Sequence, residues 1–339
     1  MEGDYMSEQI LEFDDVTKVY PDGTVAIEEI NFSVEEGTTT VFVGPSGCGK
    51  TTTLKLVNRL IDCSEGAIRF EGQAIADIDK IDLRRSIGYV IQEIGLFDHM
   101  TVGENVGVVP RLLEWDDERI RSRVDELLDL MDLPAEQYRE QYPRNLSGGQ
   151  RQRVGVARAL AADPDVMLMD EPFGALDPIT REKLQDEFLE LQNQIDKTIL
   201  FVTHDIDEAL KMGDRIAIYN NGGIVQYDTP KEILTNPANE FVENFLGSER
   251  LIKELKFMKV GDVMETDVDV AGLSLAELND SEHEFARNGE GYLTVERDNT
   301  THSALTKLYQ GNAESVPVTN GDEVVGVITE TNLKRTLSS

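Results

Sequence analysis

The chain has 339 residues, enough for more than one domain, and 40% of them are hydrophobic, so it can bury sizeable cores. Acidic residues outnumber basic ones by 65 to 32, and the formal net charge of -33 would repel nucleic acid. Two cysteines, Cys48 and Cys63, cannot build a disulfide framework and suit a reducing cytosol, and no apolar stretch approaches the length of a membrane helix.

In chain order, residues 10–20 and 66–73 alternate apolar and polar side chains, the pattern of half-buried antiparallel strands. Between them the apolar run Thr40-Val41-Phe42-Val43 leads into Gly44-Pro45-Ser46-Gly47-Cys48-Gly49-Lys50-Thr51, which satisfies G-x-x-x-x-G-K-[ST]. A helix is predicted over 51–60. A strand, a glycine loop and a helix in that order form a phosphate cradle, extended at its end by Thr52. Glycines let backbone N–H groups curl around an anion, and the helix N-terminus adds its positive dipole end. Lys50 is placed to reach the β- and γ-phosphates of a nucleotide, and Thr51 to ligate Mg²⁺.

Residues 96–163 read as helices without a strand core, an inserted helical subdomain in which Ile120, Val124, Leu127 and Met131 form a core stripe. Leu146-Ser147-Gly148-Gly149-Gln150 stands near its end. Continuous apolar runs at 166–169, 199–202 and 216–218 are buried parallel strands, and Leu184, Phe188, Leu191 and Ile195 mark a helix between two of them. The first run ends in Asp170 and Glu171, and the second in Thr203-His204-Asp205. Composition shifts after Phe245-Leu246-Gly247, so a domain of residues 1–247, a linker of 248–257 and a second domain of 258–339 are expected.

Acidic residues recur along the chain, as at 114–118 and 277–284, and so describe the whole surface rather than one tail. That is the mark of a halophilic cytosolic protein. At about 1 M salt the Debye length is about 3 Å, which screens self-repulsion that weakens the fold in dilute buffer.

Taken together, 44–51, 146–150 and Asp170-Glu171 resemble the ATP-binding subunit of an ABC transporter over residues 10–247. The likeness is nearest to glycine betaine, choline and carnitine importers. It rests on Ile87-Gly88-Tyr89-Val90-Ile91-Gln92-Glu93-Ile94-Gly95-Leu96-Phe97, on Val109-Pro110-Arg111-Leu112-Leu113-Glu114-Trp115 and on Asp170-Glu171-Pro172-Phe173-Gly174-Ala175-Leu176-Asp177-Pro178. The resemblance implies an α/β P-loop NTPase fold: a mostly parallel sheet core, an antiparallel β subdomain and a helical subdomain. ATP and Mg²⁺ are its ligands. Tyr20 would stack on adenine, Asp170 would hold Mg²⁺ through water, and Glu171 would polarise the attacking water. Gln92 would sense Mg²⁺ and the γ-phosphate, and His204 would contact that phosphate and orient Glu171.

In this family Ser147, Gly148, Gly149 and Gln150 complete the site of a second copy, so ATP closes a head-to-tail dimer, and Asp177 links the two sites across the interface. Transmembrane permease subunits and an external solute-binding protein are the further partners implied. The chain would then lie on the cytoplasmic face of the membrane. Cys48, inside the loop, is expected to place its thiol beside the phosphates, where a maleimide would block nucleotide.

Residues 258–339 resemble a CBS-type regulatory module, a small α+β domain. One nearly complete copy, 292–337, contains Ser315-Val316-Pro317-Val318 and Gly326-Val327-Ile328-Thr329-Glu330-Thr331-Asn332, while Val260-Gly261-Asp262-Val263-Met264 resembles the opening of another, truncated copy. There Thr329 would meet a phosphate and Asn332 a ribose hydroxyl, and the alternative is a structural or dimerising appendage. Two functional alternatives also stand: a soluble ABC ATPase without transport, and an importer ATPase for another small polar solute, such as an amino acid or inorganic anion.

Overall fold

The structure is a computed structural model and describes residues 9–91, 95–174, 176–192, 194–195, 197–247, 250–266, 268–274, 278, 285–288, 291–321 and 323–336. Two compact units divide at Pro230 and Lys231. Strands and helices are numbered in chain order.

Two sheets make the first unit. The antiparallel one has the order β2-β1-β4-β5, built from β1 (Gln9–Val19), β2 (Val25–Glu35), β4 (Glu65–Phe70) and β5 (Gln73–Ala74). The alternating segments at 10–20 and 66–73 therefore pair with each other through β1 and β4. The second sheet has six strands in the order β10-β9-β3-β8-β7-β6. These are β3 (Thr39–Val43), β6 (Ile87–Val90), β7 (Val166–Asp170), β8 (Thr198–Val202), β9 (Arg215–Asn220) and β10 (Gly223–Asp228). All neighbours pair in parallel except β9 with β10. Each residue of β3, β7 and β8 is buried, which is why those runs are continuously apolar and do not alternate.

Helix α1 (Lys50–Val57) follows β3 and puts Leu54, Leu56 and Val57 into a core shared by both sheets, with Leu11, Ile27 and Ile68 from one and Phe42, Leu168 and Val202 from the other. It stops short of the expected Leu60, because Asn58 caps it and Arg59 takes a left-handed φ of 45°. Helix α2 (Lys80–Ser86), capped by Asp79, leads into β6.

The stretch from β6 to β7 carries only helices among its described residues: α3 (Val102–Val106), α4 (Val108–Leu112), α5 (Asp117–Leu130), α6 (Ala135–Tyr138) and α7 (Gly148–Leu160). Ile120, Val124 and Leu127 form the buried face of α5, and Met131 closes it. Helix α8 (Pro178–Gln192) buries Leu184, Phe188 and Leu191, with Ile195 half-buried beyond its end. Helix α9 (Ile206–Met212) connects β8 to β9.

The second unit contains α10 (Pro230–Thr235), α11 (Glu240–Leu246), α12 (Arg250–Phe257), α13 (Thr301–Gly311) and α14 (Glu330–Thr336). Its strands are the hairpin β11 (Arg287–Asn288) and β12 (Gly291–Tyr292), and a sheet of β13 (Val295–Glu296), β14 (Ser315–Asn320) and β15 (Glu323–Thr329). Two sequence expectations are corrected here. The segment 248–257, expected as a short linker, carries α12 over Arg250–Phe257, and Leu255 enters the core of the second unit. The division also falls before 247. Arg250 donates from Nε to the Leu234 carbonyl at 2.6 Å, and Lys253 donates to the Leu246 carbonyl at 3.0 Å, so α10 and α11 are tied to α12.

The 260–264 segment does not open a separate module. Val260 and Val263 share one core with Val316, Val318 and Ile328, and Glu265 exchanges both backbone hydrogen bonds with Val327. A side chain at Gly326 would bring its Cβ to 2.5 Å from the Glu265 carbonyl, so glycine is what allows that close approach.

Candidate active site

Strand β3 delivers the chain directly into the glycine loop. A Cβ at Gly44, whose φ is +152°, would lie 2.3 Å from the Tyr219 carbonyl, and one at Gly49, with φ +110°, would lie 2.6 Å from the Ala26 carbonyl. The loop is pinned between β9 and β2 by contacts that only glycine permits. Lys50 is buried and folds back across it, donating from Nζ to the carbonyls of Gly44 at 2.7 Å and Pro45 at 3.0 Å. Pro45, Ser46 and Gly47 are exposed at the loop's crest, while Thr51 and Thr52 are half-buried on the first turn of α1.

Cys48 departs from expectation. The residue is 5% exposed and belongs to the apolar core that also holds Tyr219, with its thiol 3.6 Å from Lys50 Nζ. Only its backbone remains for a phosphate, because the loop's tight curl turns the side chain inward.

Asp170 at the end of β7 accepts a 2.8 Å hydrogen bond from the Thr51 hydroxyl. Burial raises the Asp170 carboxyl above the usual carboxylate range, the Thr51 hydrogen bond opposes this, and neighbouring Glu171 adds to it. A buried carboxylate and a hydroxyl that converge on one point offer only oxygen atoms, the donor set of Mg²⁺ rather than of a softer metal. Glu171 takes a left-handed φ of 46°, held because its N–H donates to the Val202 carbonyl of β8 at 2.9 Å and its own carbonyl accepts from Gly174 at 3.1 Å. That strained turn aims its carboxylate at His204, with Oε2 3.3 Å from Nδ1. Three parallel strands thus place Lys50, the Thr51–Asp170 pair and the Glu171–His204 pair at their C-terminal ends, where open α/β sheets bind ligands.

Tyr20 is half-buried just after β1, with Lys18 Nζ 5.7 Å above its ring. The 20–24 turn joins β1 to β2, the strand whose Ala26 abuts Gly49. Gln92 lies outside the described residues.

Ser147 and Gln150 are not brought to the loop. They form a capping box at the start of α7, the serine hydroxyl accepting from the Gln150 N–H and the glutamine side chain accepting from the Ser147 N–H, and Gln150 Nε2 donates to the Tyr138 hydroxyl at 3.0 Å. Ser147 and Gly148 are exposed. A Cβ at Gly148 would meet Leu176 at 3.6 Å, and one at Gly149 would meet Leu184 at 3.3 Å, so this helix start lies against the segment carrying Asp177. Asp177 itself accepts from the Thr180 N–H at 3.1 Å at the start of α8, and its hydrogen bonds with Thr180 hold its carboxyl below the usual range. In the second unit, Asn332 Oδ1 accepts from both the N–H and the hydroxyl of Thr329, at 2.9 and 2.5 Å, while its amide donates to Glu265 at 2.8 Å.

Residues that pattern reading missed sit behind the Glu171–His204 pair. Glu208 and Gln185 are both buried and joined at 2.8 Å, and Arg181 lines the same small space. A glutamate in a helix's first turn reads as an ordinary solvated acid, so nothing in the local pattern marks Glu208.

A family model described as ABC transporter matches residues 27–174. The chain is 54% identical over 259 residues, 76% of its length, to the carnitine transport ATP-binding protein OpuCA of Listeria monocytogenes, and spans about 65% of that protein. It is 44% identical over 331 residues to the osmoprotectant import ATP-binding protein OsmV of Salmonella typhimurium, covering 88% of this chain and 87% of that one. Among solved structures it resembles the dimeric post-hydrolysis state of the ATP-binding cassette MJ0796 bound to ADP and Pi. That match has a TM-score of 0.58 and 34% identity, over 65% of this chain and 98% of the other.

Proposed function

The chain belongs to the family of ABC transporter ATP-binding proteins, and from that premise we propose that it hydrolyses ATP to drive import of a quaternary amine osmolyte, such as glycine betaine, through partner membrane subunits. The observation that carries the hydrolytic part is the meeting of the Thr51–Asp170 and Glu171–His204 pairs beside Lys50. The solute rests on likeness to relatives named for carnitine and osmoprotectant transport.

In this reading Lys50 exchanges the Gly44 and Pro45 carbonyls for the β- and γ-phosphate oxygens, and the loop N–H groups cradle the β-phosphate. Thr51 and Asp170 would hold Mg²⁺, which would supply charge neutralisation on those phosphates. Glu171 polarises the attacking water, and His204 fixes its carboxylate and reaches the γ-phosphate. Ser147, Gly148, Gly149 and Gln150 of a second copy donate to the γ-phosphate from the exposed start of α7, with Asp177 joining the two sites, so ATP closes the dimer and hydrolysis opens it.

In this reading the membrane subunits dock in the groove lined by Arg84, Arg85, Tyr89, Phe97 and Arg158, the chain lies peripherally on the cytoplasmic face, and an external solute-binding protein delivers the osmolyte. Residues 258–339 act as a CBS-like regulatory module that responds to ionic strength. The mutual bonding of Thr329 and Asn332 favours that over an adenosine ligand.

The test is radiolabelled glycine betaine uptake in the source cells after deletion of this chain and its restoration. Uptake falls on deletion and returns with the wild type. Unchanged uptake, in cells without another betaine carrier, overturns the solute, and the same strains are then screened against amino acids and inorganic anions.

A further inference from the structure

Behind the Glu171–His204 contact lies a cavity of about 10 Å³, lined by Glu171, Gly174, Arg181, Thr203, His204 and Glu208, among others. The turn at 203–205 that carries His204 is restrained from several sides. The Thr203 N–H donates to the Phe42 carbonyl of β3 at 3.0 Å, the Asp205 N–H donates to the Thr203 hydroxyl oxygen at 3.0 Å, and Asp205 accepts from the N–H groups of Asp207 and Glu208. His204 itself is 60% exposed, so little besides this turn and Glu171 fixes its ring.

Glu208 is the buried member of the arrangement, only 7% exposed. A buried carboxylate is costly unless it is hydrogen-bonded and offset by charge. Its carboxylate accepts from the Gln185 amide at 2.8 Å, and Thr203 and Arg181 line the same cavity beside it. Arg181 in turn donates from Nη2 to the Leu176 carbonyl at 3.1 Å, and its N–H donates to the Asp177 carbonyl at 2.9 Å. Its Nε is buried without a hydrogen-bond partner among the described residues, so its interaction with this space is one of charge. One buried cluster thus touches both the turn that carries His204 and the turn that carries Asp177.

We propose that Glu208 is a positioning residue for hydrolysis, holding the 203–205 turn so that His204 keeps Glu171 aimed, and that Arg181 extends this restraint to the turn bearing Asp177. The inference rests on the hydrolytic reading above. When Asp177 is engaged by a second copy, a shift of its turn reaches Arg181, then Glu208 and Thr203, and so the histidine of the same chain. A carboxylate suits this position better than an amide, because it accepts from Gln185 while sharing its cavity with a guanidinium.

The experiment is a double-mutant cycle on the full-length chain, with ATP turnover measured for the wild type, Glu208→Ala, His204→Ala and the double variant, beside ATP affinity and thermal melts. Glu208→Ala is expected to lower kcat about 10-fold or more, with the KM for ATP changed less than about 2-fold. Added to His204→Ala it should cost less than about 2-fold further, since both act through one histidine. If Glu208→Ala does not fold, Glu208→Gln, which keeps the side-chain volume, takes its place with the same expected pattern and a smaller loss. Losses that multiply, or a kcat equal to wild type, overturn the proposal. A wild-type chain that hydrolyses no ATP, alone or with its membrane subunits, overturns instead the reading on which it rests.

Discussion

The two units use hydrogen bonding to opposite ends. In the first, motif residues are held in place by the backbone while their functional groups still face outward or toward one another as reactive pairs. Glu171 is bent into a left-handed turn and pinned through its N–H, which leaves the carboxylate to His204. Lys50 is tethered to the Gly44 and Pro45 carbonyls, which phosphate oxygens can replace, and lies 3.6 Å from the Cys48 thiol. In the second unit, Thr329 and Asn332 satisfy each other, and Glu265 takes up the asparagine amide. The contrast lies in Glu171 and Lys50, whose side-chain partners can be exchanged for ligand atoms, against Thr329 and Asn332, which bond each other; strain of roughly 1–3 kcal/mol is the usual cost of a left-handed turn such as that at Glu171.

The sharpest way to break this comparison is to remove Lys50. Lys50→Ala is expected to weaken ATP binding by roughly 100-fold or more, read by titration with a fluorescent nucleotide, because a buried cation facing phosphates has no substitute there. Asn332→Ala is the matching change in the second unit. It should leave ATP affinity unaltered and lower stability by about 1–3 kcal/mol, read as an earlier denaturant transition, since Thr329 and Glu265 lose their partner. Adenosine nucleotides binding to that unit with an affinity that Asn332→Ala abolishes would erase the distinction.

Asp170 tests the same idea through pH. Burial holds its folded-state pKa above the unfolded value, so the stability it contributes is present below the ordinary carboxylate pKa and is lost as pH rises through the folded one. At neutral pH the ionised group is a cost in the nucleotide-free protein. Asp170→Asn is therefore expected to raise the melting temperature by a few degrees at pH 7, with no gain at acidic pH, while impairing Mg²⁺-dependent turnover.

The charge of -33 bears on both units, and the melting temperature is expected to be higher in about 2 M KCl than in about 50 mM. An equal or lower melt in the concentrated salt would argue that the acidic surface needs no screening. The smallest expected effect concerns Cys48. Its buried thiol should label slowly with a maleimide whether or not ATP is present, and rapid labelling that ATP blocks would place the side chain beside the phosphates after all.

Much of the first unit was legible in the chain because its signals are local. Five consecutive buried residues in β7 and again in β8 announce central parallel strands, and 44–51 combines strand, glycine loop and helix within a dozen positions. What stayed hidden depends on distant partners. Cys48 lies in a phosphate loop by sequence, yet it belongs to an apolar core completed by residues far along the chain, Tyr219 among them. Glu208 looks like any acid at a helix start until Gln185 and Arg181 of α8 close over it. Helix α12 reads as a linker in the sequence because its buried Leu255 joins a core built largely from residues about 40 to 80 positions further on, such as Val295, Val316 and Leu333.

The most direct test is ATP turnover by the purified chain, or by its complex with the membrane subunits, comparing the wild type with Glu171→Gln. The account predicts unchanged ATP affinity, a turnover lower by roughly 10² to 10⁴, and a dimer that ATP closes and that then persists. Turnover equal to wild type in Glu171→Gln would remove the glutamate from catalysis and contradict the account.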